Sequence, residues 1–231
     1  MAETVFNIPG QWPTKIISLN ALLGEYGIVV HQDHFLDLKT NRTYEYERGE
    51  KVAHLSDTFY PQNALTAKEK WDIDAHESCL YIIAETDSLT DVEACVTFIN
   101  RLLKIDGVAV KVESSGGSYS RNQWLEMQNA DNLYTLMTVL IEEQEGTYYT
   151  CGFQQFGEQE LLFVDVDKEI VSEWIEVWIN MSKDEKQTCL NDGFIQKNNE
   201  KLNASVGPCT IYPEDDLFFN SHGFVVLTVK V

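Results

Sequence analysis

Apolar residues along this chain recur at two periods, and the switches between the periods outline its elements. Thr4 to Ile8 has the pattern of a short strand and is closed by Pro9-Gly10. After Pro13-Thr14, the apolar residues Ile16, Ile17, Leu19, Leu22 and Leu23 fit a short buried helix, ended by Gly24 and Gly27. Gly27 to Leu38 forms a second extended run, and Lys39-Thr-Asn-Arg42 turns it into a hairpin partner at Thr43–Glu47. Thr66 and Glu69 make a capping box, the hydroxyl accepting from a free helix N–H while the carboxylate reaches back. A short helix through Ala75 follows from it.

The clearest unit spans 79–112. Cys79–Ala84 is a compact apolar strand, and Thr90 with Glu93 has the spacing of another capping box. Val92, Cys95, Val96, Ile99, Leu102 and Leu103 share one helical face, Asp106-Gly107 stops the helix, and Val108–Val112 returns as a strand. This spacing predicts a right-handed crossover between parallel strands. Further on, a short segment surrounds Trp124 and Leu125. Leu133–Ile141 is long and apolar enough for a central strand, and Glu142 to Gly146 turns it back into Thr147–Thr150. Glu160–Asp165 reads as a strand, and Ile170–Met181 as a helix with Val171, Trp174, Ile175 and Trp178 on one face. Residues 183–206 are polar and poorly patterned, which predicts a long excursion. Pro208–Tyr212 and Phe224–Val231 close the chain as strands.

These elements predict an α+β fold, with mixed, largely antiparallel sheets and helices packed on one face, compatible with two related ferredoxin-like halves. The 231 residues suit a single compact unit over 1–231, with any subdivision expected at 1–106 and 107–231.

Charge sharpens the picture. The chain carries 17 Lys+Arg against 37 Asp+Glu, a net of −20. A small domain needs only about 2–8 units for solubility. Bare nucleic acid and anionic membranes are poor partners for this sign, whereas a basic protein fits it. Solubility alone is the plainer explanation of much of the excess. The charge is uneven: residues 1–111 have a net of −7 and residues 112–231 a net of −13, so a docking face is expected in the second half. The first residues lack a basic stretch followed by an apolar one, and no apolar run approaches the ~20 residues of a membrane span. Cys79, Cys95, Cys151, Cys189 and Cys209 are scattered without a CxxC pair, which points to a reducing compartment and away from a zinc ribbon. A cytoplasmic location is the expectation.

Candidate chemistry is sparse, and no cofactor motif is present. Ser114-Ser-Gly-Gly-Ser118 sits where a phosphate loop would, but lacks the Gly-x-x-x-x-Gly-Lys pattern. On a strand, His31, Asp33 and Asp37 would share one face and could hold a metal, with a solvated strand face as the plainer reading. Cys151 and His222, oriented by Asp215 or Asp216, could form a nucleophile and base, although no cysteine-hydrolase signature surrounds them. The acidic clusters Glu142, Glu143 and Glu145, Glu158 and Glu160, and Glu214, Asp215 and Asp216 before Leu217-Phe-Phe219 suit docking of an Arg/Lys-rich surface. Ordinary turn chemistry is the alternative for each.

Three blocks, with the opening Phe6-Asn-Ile-Pro-Gly10-x-Trp12, carry a resemblance. They are Ala109-Val-Lys-Val-Glu-Ser-Ser-Gly116 followed by Trp124, Thr147-Tyr-Tyr-Thr-Cys-Gly152 with Phe156-Gly157, and Glu214-Asp-Asp-Leu-Phe-Phe-Asn220 with Gly223. Together they resemble a bacterial family of the domain of unknown function 4261 type, whose genes lie near those of secreted toxins, including type VI effectors. The resemblance supplies no activity and no catalytic residues. It implies an immunity protein that binds a basic effector toxin through an acidic surface. A small-molecule enzyme near Glu113–Ser118 and Cys151, or a homo-oligomeric scaffold, are the other readings.

Overall fold

The computed structural model describes residues 2–59, 64–127, 133–198 and 200–229. The chain is α+β, and it divides between Met137 and Thr138 into two units with one sheet each.

The first unit runs β1 (Ala2–Gly10), α1 (Ile16–Gly24), β2 (Ile28–His31), β3 (His34–Asp37), β4 (Arg42–Glu50), α2 (Ala67–Asp74), β5 (Ser78–Thr86) and α3 (Leu89–Ile105). β6 (Ala109–Val112), β7 (Gly117–Ser120), α4 (Arg121–Met127) and α5 (Leu133–Met137) complete it. Its seven strands lie in the order β2-β3-β4-β5-β1-β6-β7, every pairing antiparallel. Because β1 is antiparallel to both β5 and β6, those two run parallel with β1 between them, and α3 crosses from one to the other. The whole predicted stripe of α3 is buried, joined by Phe98, which stacks on Tyr44 with ring centroids 4.3 Å apart.

Helices cover both faces of this sheet, contrary to the one-face expectation. Phe6, register partner of Ile82, meets Trp124 of α4 edge-on at 6.2 Å. Cys79 points the opposite way along the pleat, and there it packs with Ile73 of α2, Leu55 and Phe59. The division also falls later than 106/107. β6 pairs with β1 and β7 with β6, so this segment completes the first sheet.

Local corrections have local causes. The run 27–38 is a tight hairpin and not one strand, since Gln32 takes a left-handed φ of 52° and sets His31 opposite His34. The N-cap of α3 is Ser88, whose hydroxyl accepts from the Asp91 N–H (3.3 Å), so Thr90 lies inside the helix. Leu133, Leu136 and Met137 are buried at helical spacing, and α5 replaces the first half of the expected central strand.

The second unit runs β8 (Val139–Gln144), β9 (Thr147–Cys151), β10 (Glu160–Val164), α6 (Lys168–Asn180), α7 (Lys183–Asp192), β11 (Phe194–Lys197), β12 (Glu200–Gly207) and β13 (Phe224–Val229). Strand order is β11-β12-β13-β10-β9-β8, antiparallel except for β10 beside β13. A parallel pair and a different connectivity distinguish it from the first sheet, so the two units are not copies of one ferredoxin-like half. The expected excursion at 183–206 is a helix and two strands. Ser182 and Glu185 form a full capping box at the start of α7, and Ile195, Leu202 and Ala204 are buried. Residues 208–212, expected as a strand, are irregular. The last two residues of the expected closing strand lie outside the described ones.

Candidate functional site

Residues 208–222 leave the β12–β13 pair as a loop whose ends are pinned. The Gly223 N–H donates to the Asn220 carbonyl (3.0 Å), and the Gly223 carbonyl accepts from the Glu160 N–H (3.0 Å). Gly223 has φ +79°, and a Cβ there would overlap the Gly207 carbonyl oxygen, so the closure requires glycine. Within the loop, Ile211, Tyr212 and Phe218 pack on the sheet face formed by Tyr149, Cys151 and Phe224.

The loop is anchored from beneath by Glu160. Its Oε1 accepts from the N–H groups of Gly152 (3.0 Å) and Gln154 (3.1 Å) and from Asn220 Nδ2 (3.2 Å), and its Oε2 from the Thr150 hydroxyl (2.7 Å). Thr150 Oγ1 in turn accepts from the Leu161 N–H (2.8 Å). Gln154 Nε2 donates to the Leu217 carbonyl (2.9 Å), and Asn220 Nδ2 also reaches the Glu158 carbonyl (2.9 Å). Glu160 is 3% exposed; burial pushes its carboxyl up to about 7, against the pull of the four donors. Glu160 therefore leaves the set of expected surface residues, because its oxygens are committed to holding three chain segments together. No local sequence signal marks Thr150, Gln154 or Asn220 as its partners.

The other expected acidic residues separate by environment. Glu158 is largely buried against Lys186 (2.6 Å) and neutralised by it. Glu142 is exposed but paired with Lys168 (2.8 Å), an interaction worth little at a surface. Glu143, Glu145, Glu214, Asp215 and Asp216 are exposed. Asp216 Oδ1 accepts from the Phe218 N–H (2.8 Å) and so shapes the turn that presents its neighbours. One carboxylate of each group, Glu143 of the hairpin and Asp216 of the loop, acts on a hydrogen-bonded pair, Tyr149 with Tyr212 (2.6 Å between hydroxyl oxygens). Burial raises both phenols above their ordinary value, with Glu143 adding to the rise at Tyr149 and Asp216 to that at Tyr212. Leu217, 48% exposed, stands beside the acidic run. A cavity of ≈520 Å³ opens among Pro208, Cys209, Tyr212, Glu214, Asn220 and His222. Its walls mix apolar Val206, Pro208 and Phe219 with polar Asn220, Ser221 and His222, and its one carboxylate suits a side chain that has an apolar stem and a cationic tip.

The remaining sequence candidates resolve into structural roles. Cys151 is buried, and burial, with Glu160 adding, pushes its thiol far up, the reverse of what an attacking thiolate needs. Ser114-Ser-Gly-Gly-Ser118 is the β6–β7 turn, with Ser114, Ser115 and Ser118 buried. The hairpin at Gln32 separates His31, Asp33 and Asp37 as ligands. Asp37 is buried on Arg101, and although burial opposes it, hydrogen bonds from Arg101, Thr40 and the Lys39 N–H hold its carboxyl below the ordinary value. Among the described residues, no group of three or more His, Cys, Asp or Glu could hold a metal ion. No described helix is long and apolar enough to cross a membrane.

Compared with family models, curated proteins and solved structures, the chain finds no match in any of the three.

Proposed function

We propose that the chain is a cytoplasmic bacterial immunity protein that binds and neutralises a basic antibacterial effector of the type VI kind. The observation that carries this reading is that exposed Glu143 of the hairpin and exposed Asp216 of the loop both act on the Tyr149–Tyr212 pair, with Glu145, Glu214 and Asp215 exposed beside them along the chain. The unit that bears them has 17 acidic and 6 basic side chains over residues 138–231, a net of −11. Rim carboxylates of this kind steer a basic partner and set its on-rate, while Leu217 and the adjoining cavity offer the apolar anchor that a tight complex requires. The resemblance to a family encoded near toxin genes supports the same reading.

The test is capture of the products of the flanking genes by the tagged chain at low and high salt. Salt-sensitive capture of one basic neighbour is expected, with rescue of that neighbour's toxicity. Glu214→Lys/Asp215→Lys should lower capture about tenfold or more while leaving the unfolding midpoint in place. Capture of no neighbour at either salt, or rescue that survives the charge reversal intact, sinks the proposal.

A further inference from the structure

β4 and β5 are neighbours from Glu50↔Ser78 to Glu45↔Ile83, and there their ladder stops. β4 continues through Tyr44, Thr43 and Arg42 bonded to β3 alone, and β5 through Ala84, Glu85 and Thr86 bonded to β1 alone. The interior of the first sheet is therefore split, with a strand edge on each wall, and alternate residues on such edges direct N–H and C=O outward. Arg42 reaches Asp91 in the first turn of α3 (2.9 Å), which ties the start of β4 away from β5. A cavity of ≈490 Å³ occupies the split, within the range of ligand and peptide sites.

Its lining has a definite sign. Glu3 and Glu85 are register partners, and Glu85 shares its face with Ile83, the partner of Glu45. Three carboxylates thus surround the opening on one face of the sheet. The basic side chains of the lining are engaged, Arg42 by Asp91 (2.9 Å) and the His34 ring by Asp33 (2.6 Å), with Glu45 3.8 Å from the other ring nitrogen. Tyr44, also in the lining, is only 3% exposed, and its hydroxyl has no hydrogen-bond partner among the described residues.

We propose that this split receives an extended basic segment of a partner protein, which adds a strand between β4 and β5. Its backbone completes the two open edges, and its Lys or Arg side chains meet Glu3, Glu45 and Glu85. A small organic cation would satisfy the carboxylates but not the edges, so the observations favour a peptide. The inference stands on the first unit alone and is independent of the acidic loop at 214–216.

The test uses the full chain and an end-blocked Arg-Val-Arg-Val-Arg peptide, read by calorimetry at low and high salt and by amide hydrogen exchange. Binding that weakens with salt is expected, with new protection of the amides of Thr43 and Glu85, the residues just beyond the last ladder pair that face the split. Glu85→Lys should weaken it about tenfold. Thr43→Trp, a substitution of an exposed side chain that fills the opening, should abolish it; both variants should keep the wild-type unfolding midpoint. Glu214→Lys/Asp215→Lys should bind the peptide normally. No binding at low salt, binding without protection of those amides, or equal protection by spermidine overturns the proposal.

Discussion

Glu160→Gln isolates the energetic role of the buried carboxyl, because it preserves the shape while removing the titration. In the folded chain burial pushes this carboxyl to about 7 from an ordinary 4.5. Between those values the folded state holds a proton that the unfolded state has released, so stability falls as pH rises. The contribution is complete below pH 4.5, shrinks through the interval and is lost once pH passes the folded value. At 1.36 kcal/mol per unit, this interval corresponds to about 3 kcal/mol. The glutamine has no such interval, and all other groups titrate alike in both proteins, so the difference between the two pH profiles reports Glu160 alone. Urea unfolding from pH 4.5 to 8 measures it. Relative to the variant, the wild type should lose about 3 kcal/mol across that range, a midpoint divergence of about 1–3 M for slopes typical of small units. Parallel profiles would refute the reasoning. A divergence of opposite sign, confined to pH below 4.5, would mean that the four donors outweigh burial and hold the carboxyl ionised.

Three further substitutions test other parts of the structure. Ser88→Ala should cost about 1 kcal/mol in thermal or urea unfolding and Thr90→Ala less than about 0.5, since Ser88 is the residue that caps α3; the reverse ranking would restore the cap to Thr90. Gly223→Ala should destabilise by more than about 1 kcal/mol and raise hydrogen exchange across 208–223, because a Cβ meets the Gly207 carbonyl at a left-handed φ. Unchanged exchange in that loop would show that the closure tolerates a side chain.

Elements whose stability comes from an apolar stripe were legible in the chain, and those held by other means were not. The α3 face from Val92 to Leu103, and the flanking strands that it connects, follow from periodicity alone, because burial of that stripe is what makes the helix. α7 has no buried residue, so its only signal is the capping box at Ser182 and Glu185, easily passed over in a polar stretch. Leu133 to Ile141 looks uniform as an apolar run, and length alone favours a strand; the helix-to-strand change at 138 depends on which residues find the core. The hairpin at Gln32 escaped because a left-handed turn needs no glycine when Gln-Asp can adopt it, and a missed turn reverses every face assignment that follows.

The acidic residues show the same limit in a more consequential form. Counting carboxylates locates an excess of charge in the second half of the chain but cannot assign a carboxylate to the inside or the outside. Glu160 and Glu214 have similar local contexts of polar and aromatic neighbours, and their fates are set by distant groups. Glu160 is buried because Asn220, sixty residues away, and two N–H groups of the 152–154 turn supply the donors that a buried carboxylate requires. Those same contacts hold the loop that exposes Glu214, Asp215 and Asp216. The internal carboxyl and the external carboxylates thus belong to one arrangement: the hydrogen bonds of the buried group order the loop, and the ordered loop presents the exposed charge. A partner that recognises the loop would therefore depend on Glu160 without touching it.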